Sequence, residues 1–209
     1  MSFVCFNRVT ITGTRPKVLR FRDDARRRLS PALKESLGES YVAFSFERLF
    51  RKNRLRAPSP DGIPLDAFRV GKDTLAGHYF TSALPIAEWH GYARVEYEVE
   101  VKNYEIYNLL IPLSRSYPEL CFVDSEISLD SGDINGMYIA RGCCSRFALP
   151  EERCNEHWQR AAKEHGVAKL DDAYEDDSVR SDAEEGMLAE AMAHWDKHVL
   201  RTLQRRNPL

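Results

Sequence analysis

The 209-residue chain lacks long apolar runs and is poor in cysteine, and each shortage excludes a class of protein. No apolar stretch approaches the roughly 20 residues that a membrane-spanning helix needs. Residues 1–13 contain no apolar core of the kind found in secretory signal peptides. Five dispersed cysteines are untypical of a small secreted domain held together by disulfides. We therefore expect a cytoplasmic protein with reduced thiols and no membrane partner.

The sequence also lacks the local signatures of the common catalytic classes. It has no Gly-x-Ser-x-Gly nucleophile elbow. No glycine-rich phosphate-binding loop follows a predicted strand. We therefore predict a protein that is not an enzyme and that needs no cofactor.

The residues that are present suffice for a folded core. Hydrophobic residues make up 43% of the sequence and charged residues 30%, both typical of a soluble globular protein. This composition excludes disorder throughout the chain, because enough apolar surface is available for burial. The length fits one large domain, or one domain with an extension.

The formal net charge of -2 hides two halves of opposite sign. Residues 1–60 hold 14 Lys and Arg against 5 Asp and Glu, whereas residues 61–209 hold 16 against 27. Most of the basic excess lies in two clusters, Arg20, Arg22, Arg26, Arg27 and Arg28, and then Arg48, Arg51, Lys52, Arg54 and Arg56. This asymmetry indicates either a charged partner such as nucleic acid, or two halves of one fold that neutralise each other.

The first 142 residues carry the pattern of an α+β fold. An alternating, β-branched run that ends at Gly13 predicts a strand, and Pro16 then opens a helix with an apolar stripe. The further predicted elements are strands at 41–46 and 92–101, a helix at 106–113, and a strand pair at 120–129 and 134–140. Gly136 inside the last strand indicates a bulge or a close approach of another backbone. This order predicts a ferredoxin-like antiparallel sheet with helices on one face.

The chain divides into two predicted parts. Residues 1–148 form the ferredoxin-like α+β domain, which an irregular insertion rich in Pro and Gly interrupts at about 51–88. Residues 149–209 form a helical extension, in which the acidic run at about 171–182 is predicted to be an exposed linker. The final helix carries one apolar stripe, formed by Leu188, Met192, Trp195, Val199 and Leu203.

Three segments within residues 3–142 are similar to one known family. They are residues 5–13 (CFNRVTITG), 44–50 (FSFERLF) and 113–122 (LSRSYPELCF), the last followed by the hairpin at Gly136. These segments resemble the YubB-type ferredoxin-like family, domains of unknown function carried on bacterial plasmids and phages. The resemblance implies a mobile-element protein in the cytoplasm of a bacterial host cell, with counter-defence against the host as its role. It supplies no catalytic residues.

The basic clusters are the first candidate site. Residues 46–56 interleave aromatic side chains with cations, a mixture that neutralises phosphates and stacks on exposed bases. The candidate nucleic-acid or partner-binding residues are Arg48, Arg51, Lys52, Arg54, Arg56, Arg22, Arg26 and Arg27. Core packing of Phe46, Leu49 and Phe50 is the simpler explanation of the interleaving.

Two groups of side chains with metal-ligating chemistry are weaker candidates. Glu190, His194 and His198 recur every four residues, so one side of the last helix carries a carboxylate and two imidazoles. A second group, formed by Cys143, Cys144, Cys154 and His157, lacks the usual Cys-x2-Cys spacing. The polar flank of an amphipathic helix and small buried cysteines explain these patterns more simply.

An acidic group near the strand pair offers a third cation site. Its members are Asp124, Glu126, Asp130 and Asp133, whose carboxylates suit a divalent cation. Their alternation along a strand favours a solvated face of the sheet instead.

Three functions stay open. The leading hypothesis is a non-enzymatic accessory protein of a phage or plasmid that binds a host protein and inhibits a defence system. The second is a nucleic-acid-binding module that uses the basic N-terminal third of the chain. The third is a metal-dependent enzyme built around His194 and His198.

Overall fold

The computed structural model describes residues 4–26, 46–55, 86–102, 106–128 and 134–206. The strands in these ranges are β1 (Val4–Gly13), β2 (Ala87–Trp89), β3 (Tyr92–Lys102), β4 (Cys121–Ser128), β5 (Ile134–Ala140) and β6 (Cys143–Ala148). The helices are α1 (Arg15–Ala25), α2 (Phe46–Lys52), α3 (Tyr107–Ser116), α4 (Glu151–Glu164), α5 (Leu170–Glu175) and α6 (Asp177–Arg206). The predicted α+β fold is confirmed.

The strands form one antiparallel sheet in the order β2-β3-β1-β4-β5-β6. Strand β1 is central, and its Ile11 lies opposite Val95 of β3 on one side and Phe122 of β4 on the other. The order β2-β3-β1-β4, with α1 and α3 as connections, is the ferredoxin-like arrangement. Strands β5 and β6 then extend that sheet by a hairpin at each step.

Helices cover the two faces of the sheet in separate layers. Helices α1, α2 and α3 share a buried cluster with Val9, Ile11 and Phe122 of the sheet. Side chains alternate between faces along a strand, so Val123 and Tyr138 point the other way and pack against the C-terminal half of α6. The C-terminal extension therefore supplies the second helical layer, which includes α4 and α5.

Gly136 lies where α6 crosses β5. A Cβ atom at this position would lie 2.5 Å from the carbonyl oxygen of Ala191, so the helix backbone approaches the strand as closely as a glycine allows. The indole Nε1 of Trp195 donates a hydrogen bond of 3.0 Å to the Gly136 carbonyl oxygen, one turn further along α6. The predicted close backbone approach at Gly136 is confirmed.

The acidic run at 171–182 is helical, so its prediction as a linker was wrong. Asp176 separates α5 from α6, and its Oδ1 accepts hydrogen bonds from the backbone N–H groups of Ser178 and Val179, at 2.9 and 3.1 Å. A carboxylate at this position caps the helix and interacts favourably with the helix dipole. Ala173 and Val179 are fully buried in the cluster that they share with Ala161 and Ala162 of α4. Apart from Asp176, the acidic residues of this run therefore belong to helices rather than to an exposed linker.

Two other predicted segments lie partly outside the described residues. Of the strand predicted at 41–46, residues 41–45 lie outside the described residues, and Phe46 begins helix α2 instead. Residues 56–85 of the predicted insertion also lie outside them. The first residues of that insertion end α2, and its last ones belong to β2.

Candidate nucleic-acid interface

Helices α1 and α2, which carry the described members of the two basic clusters, pack against each other. Phe21 of α1 and Leu49 and Phe50 of α2 are buried in the same cluster, at 0–1% exposure. The apolar side of each helix faces the sheet, and most of the arginines and lysines of these helices are exposed to solvent. Phe46 is also buried, so core packing accounts for the interleaved aromatic residues and none of them is available to stack on a base.

A buried carboxylate joins the two helices. Asp24 of α1 is only 4% exposed, and its Oδ1 binds the Nζ of Lys52 at the end of α2. Its Oδ2 accepts a hydrogen bond of 2.9 Å from the hydroxyl group of Tyr117, which follows α3. The Nε of Arg20, one turn earlier in α1, lies 3.9 Å from the same oxygen. Charge pairing and hydrogen bonding together offset the cost of burying this carboxylate.

Tyr117 connects this carboxylate to the loop after α2. Its hydroxyl oxygen accepts a hydrogen bond of 3.1 Å from Asn53 Nδ2, which also donates to the Leu49 carbonyl oxygen at 2.7 Å. Burial raises the pKa of Tyr117 to about 12. The phenol therefore stays protonated at neutral pH and donates to Asp24. We call Asp24, Lys52, Asn53 and Tyr117 the α1–α2 joint.

Seven cations of α1, of α2 and of the residue positions just after them are described, and we call them the basic surface. Six are exposed and Arg22 is half-buried; the seven are Arg20, Arg22, Arg26, Arg48, Arg51, Lys52 and Arg54. The side chains of Arg20 and Lys52 are 64% and 51% exposed although both lie beside Asp24. Arg22 lies 3.7 Å from Asp23, the exposed carboxylate of this surface in α1. Arg54 has a φ of 53°, and the backbone N–H of Leu55 donates a hydrogen bond of 2.9 Å to the Phe50 carbonyl oxygen at the end of α2. Arg27 and Arg56, also candidates, lie outside the described residues.

The acidic residues lie on the other side of the sheet. Exposed carboxylates crowd α5 and the start of α6, at Asp171, Asp172, Glu175, Asp176 and Asp177. Because α5 belongs to the layer opposite α1 and α2, the sheet separates this acidic surface from the basic surface. The hypothesis that the two halves partly neutralise each other holds for the ion pairs Arg8–Glu185, Arg15–Glu88 and Lys17–Glu119. It is wrong for the acidic surface, which lies across the sheet from the basic surface.

The metal set predicted on the last helix does not come together. Arg153 holds Glu190 through two hydrogen bonds of 3.0 and 2.9 Å, and His157 Nε2 lies 2.7 Å from Glu190 Oε2. The hydrogen bonds from Arg153 hold the pKa of Glu190 below its usual range. This carboxylate therefore serves the contact between α4 and α6.

The two histidines of that set contact aromatic rings instead of a common ligand position. His194 stacks on Phe147 with the ring centroids 3.7 Å apart, and His198 meets Tyr138 edge-on at 4.6 Å. Within the ranges that the structure describes, no three His, Cys, Asp or Glu side chains form a metal-ligating group. The three residues share one helix side as their spacing predicts, but each has a separate partner, on α4 for Glu190, on β6 for His194 and on β5 for His198.

The cysteine group is dispersed in the same way. Cys143 and Cys144 are exposed neighbours on β6, where alternation directs their side chains to opposite faces of the sheet. Cys154 lies on α4, and His157 of the same helix is engaged by Glu190. The explanation by small buried cysteines was wrong for Cys143 and Cys144, because the last strand of the sheet is exposed.

The strand acids also differ from expectation. Asp124 and Glu126 are 0% and 4% exposed, so the prediction of a solvated face was wrong. They share a face with Phe122 on β4, which places them under the layer of α1, α2 and α3. Asn7 and Asn135 lie opposite Glu126 on the neighbouring strands. Asp130 and Asp133 lie outside the described residues.

No protein-family model, curated protein or solved structure matches this chain. The resemblance to the YubB-type family stays a prediction. In the part of the chain that the structure describes, no helix has both the length and the apolar character to cross a membrane.

Proposed function

We propose that this chain is a non-enzymatic nucleic-acid-binding protein, and that its basic surface contacts the phosphate backbone. One observation supports this proposal, namely the packing of α1 against α2, since these two helices carry the described members of two basic clusters that are separate in the sequence. Seven Lys and Arg on one surface neutralise several phosphates at once, and the release of counterions then drives binding.

The chemistry of the surface defines the mode of binding. Six of the seven cations are arginines, whose planar guanidinium groups match phosphate oxygens in a bidentate manner. Arg48 and Arg51 are three residues apart on α2, so they are neighbours on one side of that helix. Because Phe46 and Phe50 are buried, they make no stacking contact with bases. We therefore expect binding that depends on phosphate and salt and that reads little sequence.

A pair of matched double variants tests the proposal by fluorescence anisotropy with labelled DNA and RNA. The variant R51Q/R54Q removes two charges from the basic surface and leaves the α1–α2 joint intact. The control R160Q/R201Q removes two exposed arginines from α4 and α6, in the opposite layer. We expect the first pair to weaken binding about tenfold at moderate salt, and the second by less than about twofold. Equal losses in the two pairs, or no binding by the wild type, would contradict the proposal.

A host-protein partner is the second candidate function, and the acidic surface of α5 and α6 supports it. Exposed carboxylates on a helical layer suit a basic protein surface, since electrostatic complementarity steers association. The role proposed for the chain is then that of a phage or plasmid accessory protein that inhibits a host defence. Affinity purification from a bacterial lysate tests it, with D171N/D172N/E175Q as the matched variant. A stoichiometric partner that the variant fails to recover is the expected result, and recovery of none by the wild type would count against this candidate.

A further inference from the structure

A pocket opens on the face of the sheet opposite to the basic surface, between α6 and strands β1 and β3. Its walls are formed by Phe6 and Arg8 of β1, Glu98 of β3, and Glu184, Glu185 and Leu188 of α6. Its volume of about 360 Å³ is within the range of small-molecule sites. None of its residues belongs to the basic surface or to the metal candidates of the sequence.

The charges in this pocket do not balance among the residues that line it. The Nη2 of Arg8 lies 3.5 Å from Glu98 Oε1 and 3.7 Å from Glu185 Oε1, so one guanidinium group is shared by two carboxylates. Glu184 supplies a third carboxylate to the lining. Burial raises the pKa of Glu184, and the charge of Arg180, one turn earlier in α6, acts against this shift. A positively charged ligand in the pocket would favour the ionised carboxylate further.

The remaining walls are apolar. Leu188 is 2% exposed and Phe6 is half-buried, so both present hydrocarbon to the pocket. The lining therefore combines one apolar side with a group of carboxylates, the usual composition of a site that orients an amphipathic ligand. We propose that the pocket binds a small organic cation, a protonated primary amine carried on an apolar chain. The ammonium group lies between Glu184 and Glu185, and the chain lies on Phe6 and Leu188.

Amide chemical shifts of the full chain test this proposal, with pentylammonium as the probe and 1-pentanol as its neutral counterpart. We expect pentylammonium to shift the amides of residues 6–8 and 181–188 in a saturable manner, with a Kd of about 1 mM for so small a ligand. Pentanol should leave them unmoved at the same concentration. No saturable shift, or equal shifts with the two probes, would overturn the proposal.

Matched variants then assign the binding to the carboxylates. E184Q/E185Q removes two of the three carboxylates, and we expect it to weaken pentylammonium binding about tenfold. The amide shifts of residues outside the pocket should stay those of the folded wild type. E175Q makes the same chemical change on α5, outside the pocket, and should alter the Kd by less than about twofold. Unchanged binding to E184Q/E185Q would refute the assignment.

A free amine and a lysine side chain both present a protonated primary amine on an apolar chain. Two further probes distinguish these two sources of the ligand. The first is 1,5-diaminopentane, and the second is the methylamide of Nα-acetyl-lysine, which presents the same amine on a peptide unit. The probe that binds more tightly identifies the source as a free diamine or as a peptide lysine. Failure of both to compete with pentylammonium would overturn the proposal.

Discussion

Replacing Tyr117 with Phe removes one hydroxyl group from the α1–α2 joint and leaves the ring contacts in place. The lost hydroxyl donates to Asp24 Oδ2 at 2.9 Å and accepts from Asn53 Nδ2 at 3.1 Å. Asp24 is 4% exposed, so water cannot replace the lost donor without opening the joint. A hydrogen bond to a buried charged group contributes about 1.5–3 kcal/mol. Because Lys52 still pairs with Asp24, we expect Y117F to lower the free energy of unfolding by about 2 kcal/mol.

Equilibrium unfolding in urea measures this change, and Y174F is the matched control. Tyr174 is 38% exposed and its ring meets Trp158 edge-on, so its substitution should change stability by less than about 0.5 kcal/mol. Nucleic-acid binding provides a second readout, since a loosened α1–α2 joint no longer aligns the two basic clusters. Equal stability of Y117F and Y174F would refute the account of the joint.

Two further predictions concern the packing of α6. G136A places a Cβ 2.5 Å from the Ala191 carbonyl oxygen and should destabilise the protein by about 3 kcal/mol in a urea titration. G166A, which has open space but a φ of 72°, should lose only about 1 kcal/mol. Similar losses in both would contradict the close approach. Asp182, at 2.7 Å, raises the pKa of His165 by hydrogen bonding, so this pair stabilises the fold below the ordinary histidine range and loses that effect as the pH rises through the raised pKa. The difference in melting temperature between wild type and H165Q should therefore be larger at acidic than at alkaline pH, and a constant difference would contradict this assignment.

Alternation and helical periodicity predicted the fold where one face of an element is buried. Strand β3 shows why, because Val95, Tyr97 and Val99 are buried and the charged residues between them face the other way. Strand β6 was missed since its residues are exposed on both faces and no alternation develops. The acidic start of α6 was misassigned because its small buried residues, Val179 and Ala183, are sparse among carboxylates.

The candidate site was predictable as two clusters but not as one surface. Charge counting found the cations of α1 and α2, while Lys52 and Tyr117 lie 28 and 93 residues from the aspartate that they bind. One signal was available, since Asp24 is three residues after the buried Phe21 and therefore lies on the inner side of α1. The pocket combines β1, β3 and α6, and no local pattern connects those segments.

The salt dependence of nucleic-acid affinity tests the central claim most directly. Anisotropy titrations of the wild type with duplex DNA across a range of salt concentrations give the slope of log K against log salt. If at least four cations of the basic surface contact phosphates, the slope is about -4 or steeper. A slope near zero, or no binding at the lowest salt, would contradict the claim that α1 and α2 form a nucleic-acid interface.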